Sequence, residues 1–155
     1  MGGIRRFEDI RAWQLARKLV NSIYEVTNSG SFARDFGLRD QIRRAAGSIM
    51  HNIAEGFDSG TDAEFRRFLR ISQRSALEVQ SQLYTALDQR YLTQDQFNFL
   101  YQEAESIKAH VRKFASYLSG NDHHKIGESP ADYRVDEPLD IVEDVGRWTL
   151  DENED

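Results

Sequence analysis

Apolar side chains recur at intervals of three and four residues through residues 36–56, and this periodicity constrains the fold more than any other feature. An α-helix turns once in about 3.6 residues, so residues at these intervals share one face. The apolar or small residues on that face are Leu38, Ile42, Ala45, Ala46, Ile49, Ile53 and Phe57. The polar residues on the other edge are Arg39, Arg43, Arg44, Asn52 and Glu55. The stretch therefore predicts an amphipathic helix whose polar edge needs a partner of its own.

Three further segments share this periodicity and predict three more helices. The first covers about residues 9–27, the third begins at Thr61 and extends past about 25 residues, and the fourth runs from Thr93 to near Leu118. No segment shows the alternation of apolar and polar residues that is typical of a β-strand. The sequence thus predicts an all-α fold, an antiparallel up-down-up-down four-helix bundle with crossing angles of about 20°.

Local signals mark where the predicted helices begin. Thr61 and Thr93 are each followed three residues later by a Glu or Gln, which is the pattern of a capping box. The segment NSGSFARDFG breaks the periodicity, and Asp35 within it is the predicted N-cap of the second helix. Small residues are concentrated on that helix, namely Ala45, Ala46, Gly47, Ser48 and Ala54. We therefore expect the second helix to pack closely against its neighbours.

Some apolar residues lie off the main helix faces. They are Leu15, Leu19, Val26, Met50 and Ile71. Spare apolar surface on a small bundle is the usual sign of a second contact. The sequence therefore predicts that the chain associates with copies of itself.

The composition bounds the class of protein. With 155 residues, 39% apolar content and two prolines, the chain suits one folded domain, predicted to span residues 1–120. Cysteine is absent, which excludes disulfide frameworks, thiolate metal sites and cysteine nucleophiles. The first residues lack the apolar core of a signal peptide, and no run of about 18 apolar residues occurs. We therefore expect a cytoplasmic location and no membrane partner.

Charge is divided unevenly along the chain. Residues 126–155 carry 11 acidic residues and two arginines, a net charge of −9. Residues 1–125 carry 15 acidic and 18 basic residues, a net charge of +3. The sequence therefore predicts a mildly basic bundle followed by an acidic C-terminal tail over residues 121–155.

The tail combines its acids with apolar residues in the stretch LDIVEDVGRWTLDENED. Ile141, Val145 and Trp148 are spaced at i, i+4 and i+7, which fits either a short amphipathic helix or an extended segment docked in a groove. These three residues are candidates for binding a partner. Three roles stay open, because the tail can solubilise the chain, fold back over the basic surface and mask it, or bind an unknown protein.

Five stretches carry a resemblance to a known family. They are FEDIRAWQLARKL, SIYEVT, FGLRDQIRRAAGSIMHNIAEGF, EFRRFLRIS and LEVQSQL. In this order they resemble the four-helix bundle protein family, which includes proteins encoded in intervening sequences of large-subunit ribosomal RNA genes and accessory proteins of diversity-generating retroelements. The resemblance implies a closed, barrel-like homopentamer with no known enzymatic activity. For the retroelement relatives it also implies a basic surface that binds nucleic acid and a reverse transcriptase.

The resemblance assigns a set of residues to the family motif. They are Arg43, Arg44, Asn52, Glu55, Phe65, Phe68, Leu69, Glu78 and Gln82. Four of these, Asn52, Glu55, Glu78 and Gln82, are polar and recur at intervals of three and four on the second and third helices. Side chains at such intervals are neighbours on a helix, so we expect these four to join helices or subunits through hydrogen bonds or arginine pairs.

Arginine greatly exceeds lysine, with 16 arginines against four lysines. The candidate nucleic-acid-binding residues are Arg39, Arg43, Arg44, Arg66, Arg67, Arg70 and Arg74. Guanidinium groups bind phosphates bidentately, and repetition of the surface in a homo-oligomer strengthens weak contacts. The alternative is that these arginines pair with acidic residues, namely Asp40, Glu55, Asp62, Glu64 and Glu78.

Signs of catalysis are absent from the sequence. Glu-x-x-His pairs, which build di-metal centres in helical bundles, do not occur, and neither does a glycine-rich phosphate loop or a nucleophile elbow. His51 and His110 are predicted to be surface or interface residues, and the adjacent His123 and His124 lie in the linker. We therefore predict no catalytic residue, no metal and no cofactor.

The sequence leaves two functions open. The first is a homo-oligomeric, pentameric scaffold or adaptor that binds proteins. The second is an accessory protein that binds RNA or DNA through its arginines. A scaffold should capture a protein through its tail or helix faces, whereas an accessory factor should bind nucleic acid with an affinity that falls as the salt concentration rises.

Overall fold

The computed structural model of the chain describes residues 3–120, which contain five α-helices and one 3-10 turn and no β-strand. The turn is Phe7–Asp9, and the helices are α1 (Arg11–Thr27), α2 (Gly30–Arg34), α3 (Phe36–Phe57), α4 (Asp62–Asp88) and α5 (Gln94–Leu118). The predicted all-α class is confirmed. None of these five helices is long and apolar enough to cross a membrane. The tail, with its candidates Ile141, Val145 and Trp148, lies outside the described residues.

Side-chain caps begin α3 and α5 where the sequence predicts them. The Asp35 carboxylate accepts a hydrogen bond from the backbone N–H of Leu38 at 3.1 Å. The Thr93 hydroxyl accepts one from the backbone N–H of Gln96 at 3.1 Å, and the Gln96 side chain accepts one from the backbone N–H of Thr93 at 2.9 Å. These bonds satisfy N–H groups that have no partner within a helix, so local chemistry sets both starting points.

The predicted capping box at the start of α4 forms only in part. The Thr61 hydroxyl accepts a hydrogen bond from the backbone N–H of Glu64 at 3.2 Å, as expected. The Glu64 carboxylate does not return to Thr61, because it binds the Arg67 guanidinium at 2.7 Å. The N-cap is therefore confirmed, and the reciprocal bond is replaced by an ion pair.

The structure corrects the prediction that residues 28–37 break the helical pattern without a helix of their own. They contain α2, whose Phe32 is 1% exposed and stacks on Tyr91 with ring centroids 5.2 Å apart. The Tyr91 hydroxyl donates a hydrogen bond to Asp35 at 3.0 Å, which raises the pKa of that hydroxyl. A helix of five residues is unstable alone in water, so the distant Tyr91 ring stabilises α2.

One core lies between the four long helices. Helix α3 packs against α1 and α4, and helix α5 packs against α4 and α1. The fully buried side chains include Leu19, Ile23, Ile42, Ile49, Ile53, Leu69, Leu83, Leu100 and Ile107. Most of them occupy the main periodic apolar positions, so the periodicity of the sequence identifies most of the core.

The apolar residues expected to form a second contact surface are mostly used inside the chain. Leu19 is completely buried, and Leu15, Val26 and Met50 are partly buried against the core. The expectation is wrong for Leu19, because α1 packs against both α3 and α5 and so buries two of its faces. Self-association through the other residues stays a prediction. The large apolar side chains that do face solvent are Tyr24, Phe36, Leu77, Tyr84 and Tyr117.

Small residues let α3 approach α4 closely, as the sequence predicts. A Cβ atom on the buried Gly56 would overlap the Phe65 ring and lie 2.9 Å from the Phe68 Cβ. Farther along the same contact, the buried Ser72 hydroxyl donates a hydrogen bond to the Ile49 carbonyl at 3.1 Å. The absence of a side chain at Gly56 therefore sets how near the two helices lie.

We expect Gly56→Ala to lower the free energy of unfolding by about 1–3 kcal/mol, because the added methyl group overlaps Phe65 and forces a shift of the packed rings. Urea denaturation measures the change. Gly47→Ala on the same helix is the matched control, since its Cβ would lie an ordinary 3.6 Å from the His51 ring. Alanine favours a helix over glycine by up to about 1 kcal/mol, so Gly47→Ala should be neutral or stabilising. Equal effects of the two changes would contradict the close approach.

Candidate arginine-rich interface

The seven candidate arginines differ in what they contact, and Arg43 is the one most engaged within the chain. Its guanidinium donates hydrogen bonds to the Thr27 hydroxyl at 2.8 Å, the Thr27 carbonyl at 3.1 Å and the Asn28 side-chain oxygen at 3.0 Å. It also lies 4.4 Å from the centre of the Tyr24 ring. Thr27 and Asn28 form the end of α1, where backbone carbonyls have no partner within the helix. Arg43 therefore caps α1.

Arg39 and Arg67 pair with acids, as the alternative interpretation of the arginines expects. Arg39 binds Asp40 at 3.0 Å and donates a further hydrogen bond to the Ala33 carbonyl at 3.1 Å. Arg67 binds Glu64 at 2.7 Å, and its hydrogen bond to that carboxylate raises the pKa of the guanidinium. Both guanidinium groups are thus already occupied, and less of their charge is free to bind a ligand.

The remaining candidates are Arg44, Arg66, Arg70 and Arg74. Their side chains form no hydrogen bond or ion pair with any residue in the range 3–120. Arg44, Arg70 and Arg74 are exposed, and Arg66 is partly buried. Arg66, Arg70 and Arg74 follow one another at intervals of four residues, so they lie along one side of α4. The candidate interface therefore has fewer unpaired arginines than the seven that the sequence suggests.

Two exposed apolar residues on α4 were not identified from the sequence. Leu77 is 58% exposed and Tyr84 is 52% exposed. Arg70, Leu77 and Tyr84 follow one another at intervals of seven residues. Side chains at this interval lie on nearly the same side of a helix. We call Arg70, Leu77 and Tyr84 the α4 stripe. The heptad spacing was visible in the sequence, but periodicity does not reveal which apolar face stays uncovered.

Contacts with α5 fix the position of Tyr84 in the α4 stripe. The Tyr84 ring lies 4.9 Å from the Phe97 ring and 5.9 Å from the Tyr101 ring, measured between centroids. The Phe97 and Tyr101 rings are themselves 5.5 Å apart. Tyr84 is therefore held in one orientation while half of its surface faces solvent, which lowers the entropy cost of a further contact.

A polar network joins α4 to α5 one turn before Tyr84. The buried Gln80 donates a hydrogen bond to Glu105 at 2.9 Å and accepts one from Lys108 at 3.0 Å. Lys108 also binds the Glu105 carboxylate at 2.8 Å, and the Arg112 guanidinium lies 3.6 Å from the same carboxylate. The hydrogen bond from Lys108, aided by that from Gln80, lowers the pKa of Glu105. The charges of Lys108, Arg112 and Glu105 are therefore paired with one another beside the α4 stripe.

The four polar residues that the resemblance assigns to the family motif have different surroundings. Asn52 donates hydrogen bonds to the carbonyl and the hydroxyl of Ser48 at 2.8 and 3.0 Å, and the Ser48 hydroxyl bonds that of Ser75 at 2.8 Å. This chain of bonds joins α3 to α4. Glu55 and Glu78 are exposed and form no ion pair with a described residue. The Gln82 side-chain oxygen is buried and accepts no hydrogen bond from residues 3–120.

The two histidines of the described range, His51 and His110, have different surroundings. His51 is exposed, and the Nδ1 atom of His110 lies 2.8 Å from the Ser106 carbonyl. Within residues 3–120 no group of three or more His, Asp or Glu side chains is arranged to hold a metal ion. His123 and His124 lie outside that range.

The order and motifs of the helices agree with a sequence model described as 23S rRNA-intervening sequence protein, which matches residues 8–113. The chain belongs to this family. The resemblance drawn from the helix motifs is thereby confirmed, and it covers α1 to α4 and most of α5.

A solved structure shares the fold. It is a protein of unknown function from the S23 ribosomal protein family of Bacteroides thetaiotaomicron, with 23% identity and a TM-score of 0.58. The match covers 67% of this chain and 94% of that chain. No curated protein matches the chain. Neither the family description nor that of the structural relative names a catalytic activity.

Replacing Arg43 and Arg44 in turn tests whether the first stabilises the fold and the second does not. We expect Arg43→Ala to lower the free energy of unfolding by about 1.5–3 kcal/mol, since it removes charged hydrogen bonds at the end of α1. Arg44→Ala should change it by less than about 0.5 kcal/mol, because Arg44 is exposed and unpaired. Urea denaturation of both variants measures the difference. Similar values for the two would show that Arg43 does not cap α1.

Proposed function

We propose that the chain is a non-catalytic scaffold, a four-helix bundle that assembles with copies of itself into a homopentamer and binds proteins. The observation that carries this proposal is the α4 stripe, where Leu77 and Tyr84 are more than half exposed in line with the unpaired Arg70. Exposed apolar surface beside an aromatic ring and an arginine is typical of a protein contact surface. The pentameric number comes from the family resemblance.

The antiparallel direction of the bundle is supported by contacts between opposite ends of neighbouring helices. Phe65 near the start of α4 contacts Phe114 near the end of α5, with centroids 5.2 Å apart. Tyr84 near the end of α4 contacts Phe97 near the start of α5 at 4.9 Å. Likewise Gly56 near the end of α3 lies against Phe65. These contacts and the short loops support an up-down-up-down bundle.

A closed ring of copies needs two different, complementary surfaces on each copy. The α4 stripe supplies one, with the positive charge of Arg70. We place the other at Glu55 and Glu78, which are exposed acids without a partner in the described chain. Glu78 follows Leu77 directly and therefore points about 100° away from it around α4. The stripe of one copy can thus face the acids of the next.

A charge exchange tests this assembly. Arg70→Glu alone and Glu78→Arg alone should each reduce the assembled mass, because like charges then face one another between copies. A chain carrying both changes should assemble again, since the pair is restored with reversed signs. Light scattering behind a sizing column gives the mass, which for the unchanged protein should be close to five times 17.9 kDa.

Arg44→Glu is the matched control for the exchange, since Arg44 is exposed on α3 and outside the stripe. It should leave the mass unchanged. A monomeric unchanged protein would contradict the assembly itself, and a double variant that stays dissociated would contradict the pairing of these two surfaces.

Binding of RNA or DNA is a second candidate function, and Arg44 and Arg74 favour it. Both are exposed and have no hydrogen-bond or ion-pair partner in the described chain. Arg44 lies on α3, away from the α4 stripe, and so remains free after assembly. Repetition of these arginines around a ring would multiply weak phosphate contacts. In this proposal the acidic tail masks the arginines when nucleic acid is absent. The expected cytoplasmic location suits either function and stays a prediction.

Fluorescence anisotropy with a generic structured RNA at several salt concentrations tests the second candidate. A chain with Arg44→Gln and Arg74→Gln should bind more weakly, and the slope of log affinity against log salt should fall by about 1–2. Arg67→Gln is the control, because Arg67 is already paired with Glu64 and should contribute little. Replacing the tail acids by amides should raise affinity. An absence of binding at low salt in all forms would exclude this function.

A further inference from the structure

An apolar cleft of about 370 Å³ opens at the end of the molecule where α5 finishes. Its walls come from distant parts of the chain, namely Ile4, Phe57, Phe65, Phe114, Tyr117 and Leu118. The volume is within the range of sites that hold a small organic group. Gly56 and Gly60 also line the cleft, and a Cβ atom on Gly60 would meet no other atom within 4 Å.

The cleft is formed in advance of any ligand, because its aromatic walls contact one another. The Phe65 ring meets Phe57 edge-on at 6.4 Å and Phe114 edge-on at 5.2 Å between centroids. The Phe114 ring in turn stacks on Tyr117 at 6.2 Å. Aromatic pairs of this geometry stabilise one another. The Tyr117 ring remains 41% exposed, so an apolar surface faces solvent at the mouth of the cleft.

We propose that this cleft binds the C-terminal segment of the same chain, with the Trp148 side chain inserted between the aromatic walls. Leu118 lines the cleft, so the tail is attached at its mouth. Thirty residues separate Leu118 from Trp148, and a generic linker of that length has an average span of about 30 Å. Attachment over such a length gives an effective concentration in the millimolar range.

The chemistry of the segment matches that of the cleft and its rim. Trp148 has apolar neighbours at Val145 and Leu150, and acids lie on both sides of it at 143–144 and 151–152. Among the residues that line the cleft, Asp62 is the one with a charged side chain. Its carboxylate complements Arg147, which directly precedes Trp148 in the chain. The other tryptophan of the chain, Trp13, is buried in the core and is not available for this role.

Acrylamide quenching of tryptophan fluorescence in the full chain tests this inference. The variant Trp148→Phe gives the signal of Trp13 alone, so the difference from the unchanged protein reports Trp148. We expect Trp148 to be quenched several-fold less than free tryptophan. Leu118→Glu, which places a carboxylate in the cleft, should remove this protection. Tyr117→Glu makes the same change at a more exposed wall residue, in case Leu118→Glu disturbs folding.

Ser116→Glu is the matched control, because it adds the same charge to the same turn of α5 at an exposed residue that does not line the cleft. It should leave Trp148 protected. Quenching of Trp148 at the rate of free tryptophan in the unchanged chain would overturn the inference. So would protection that persists in both wall variants, which would place Trp148 elsewhere on the molecule.

Dilution distinguishes binding of the tail to the cleft of its own chain from binding to the cleft of a neighbouring copy. Protection that is unchanged on dilution supports binding within the chain. Protection that disappears as the assembly dissociates would assign the cleft to the tail of another copy and overturn the inference. Failure of this inference can be told apart from failure of the proposed assembly, because quenching reports on Trp148 and the mass of the Arg70 and Glu78 variants reports on the assembly.

Discussion

The close packing of α3 against α4 at Gly56 is the contact on which the other features depend. Because Gly56 has no side chain, the Phe65 ring lies directly against the α3 backbone. From that position Phe65 reaches Phe57 on α3 and Phe114 on α5, and these rings form the walls of the cleft. The hydroxyl bond between Ser48 and Ser75 continues the contact along both helices. Small residues thus determine both the spacing of the helices and the open end of the core.

The arginines show that residue type alone does not define a binding surface. Arg43 and Arg44 are adjacent in the sequence, yet Arg43 caps the end of α1 and Arg44 faces solvent. Arg67 is held by Glu64, whereas Arg70 one turn later is free. A guanidinium that already donates its hydrogen bonds within the chain gains little from a phosphate. Only the free arginines are therefore available to a partner.

The proposals assign separate parts of the molecule to separate contacts. The α4 stripe faces a second copy, Arg44 on α3 remains for a polyanion, and the cleft faces the tail. A segment anchored by Trp148 would lie at the cleft, whose lining residues include none of the α4 stripe. Assembly and tail binding can therefore occur together.

The sequence by itself determined the long helices, most of the core and three helix starts, because these depend on interactions within a few residues. Asp35, Thr61 and Thr93 cap helices through groups three residues away, and the apolar period follows from helix geometry. Only the tertiary structure decided the rest. Helix α2 forms because Phe32 meets a ring 59 residues later in the chain, at Tyr91. The role of Arg43 and the exposure of Leu77 and Tyr84 likewise depend on which helices become neighbours, which no local pattern records.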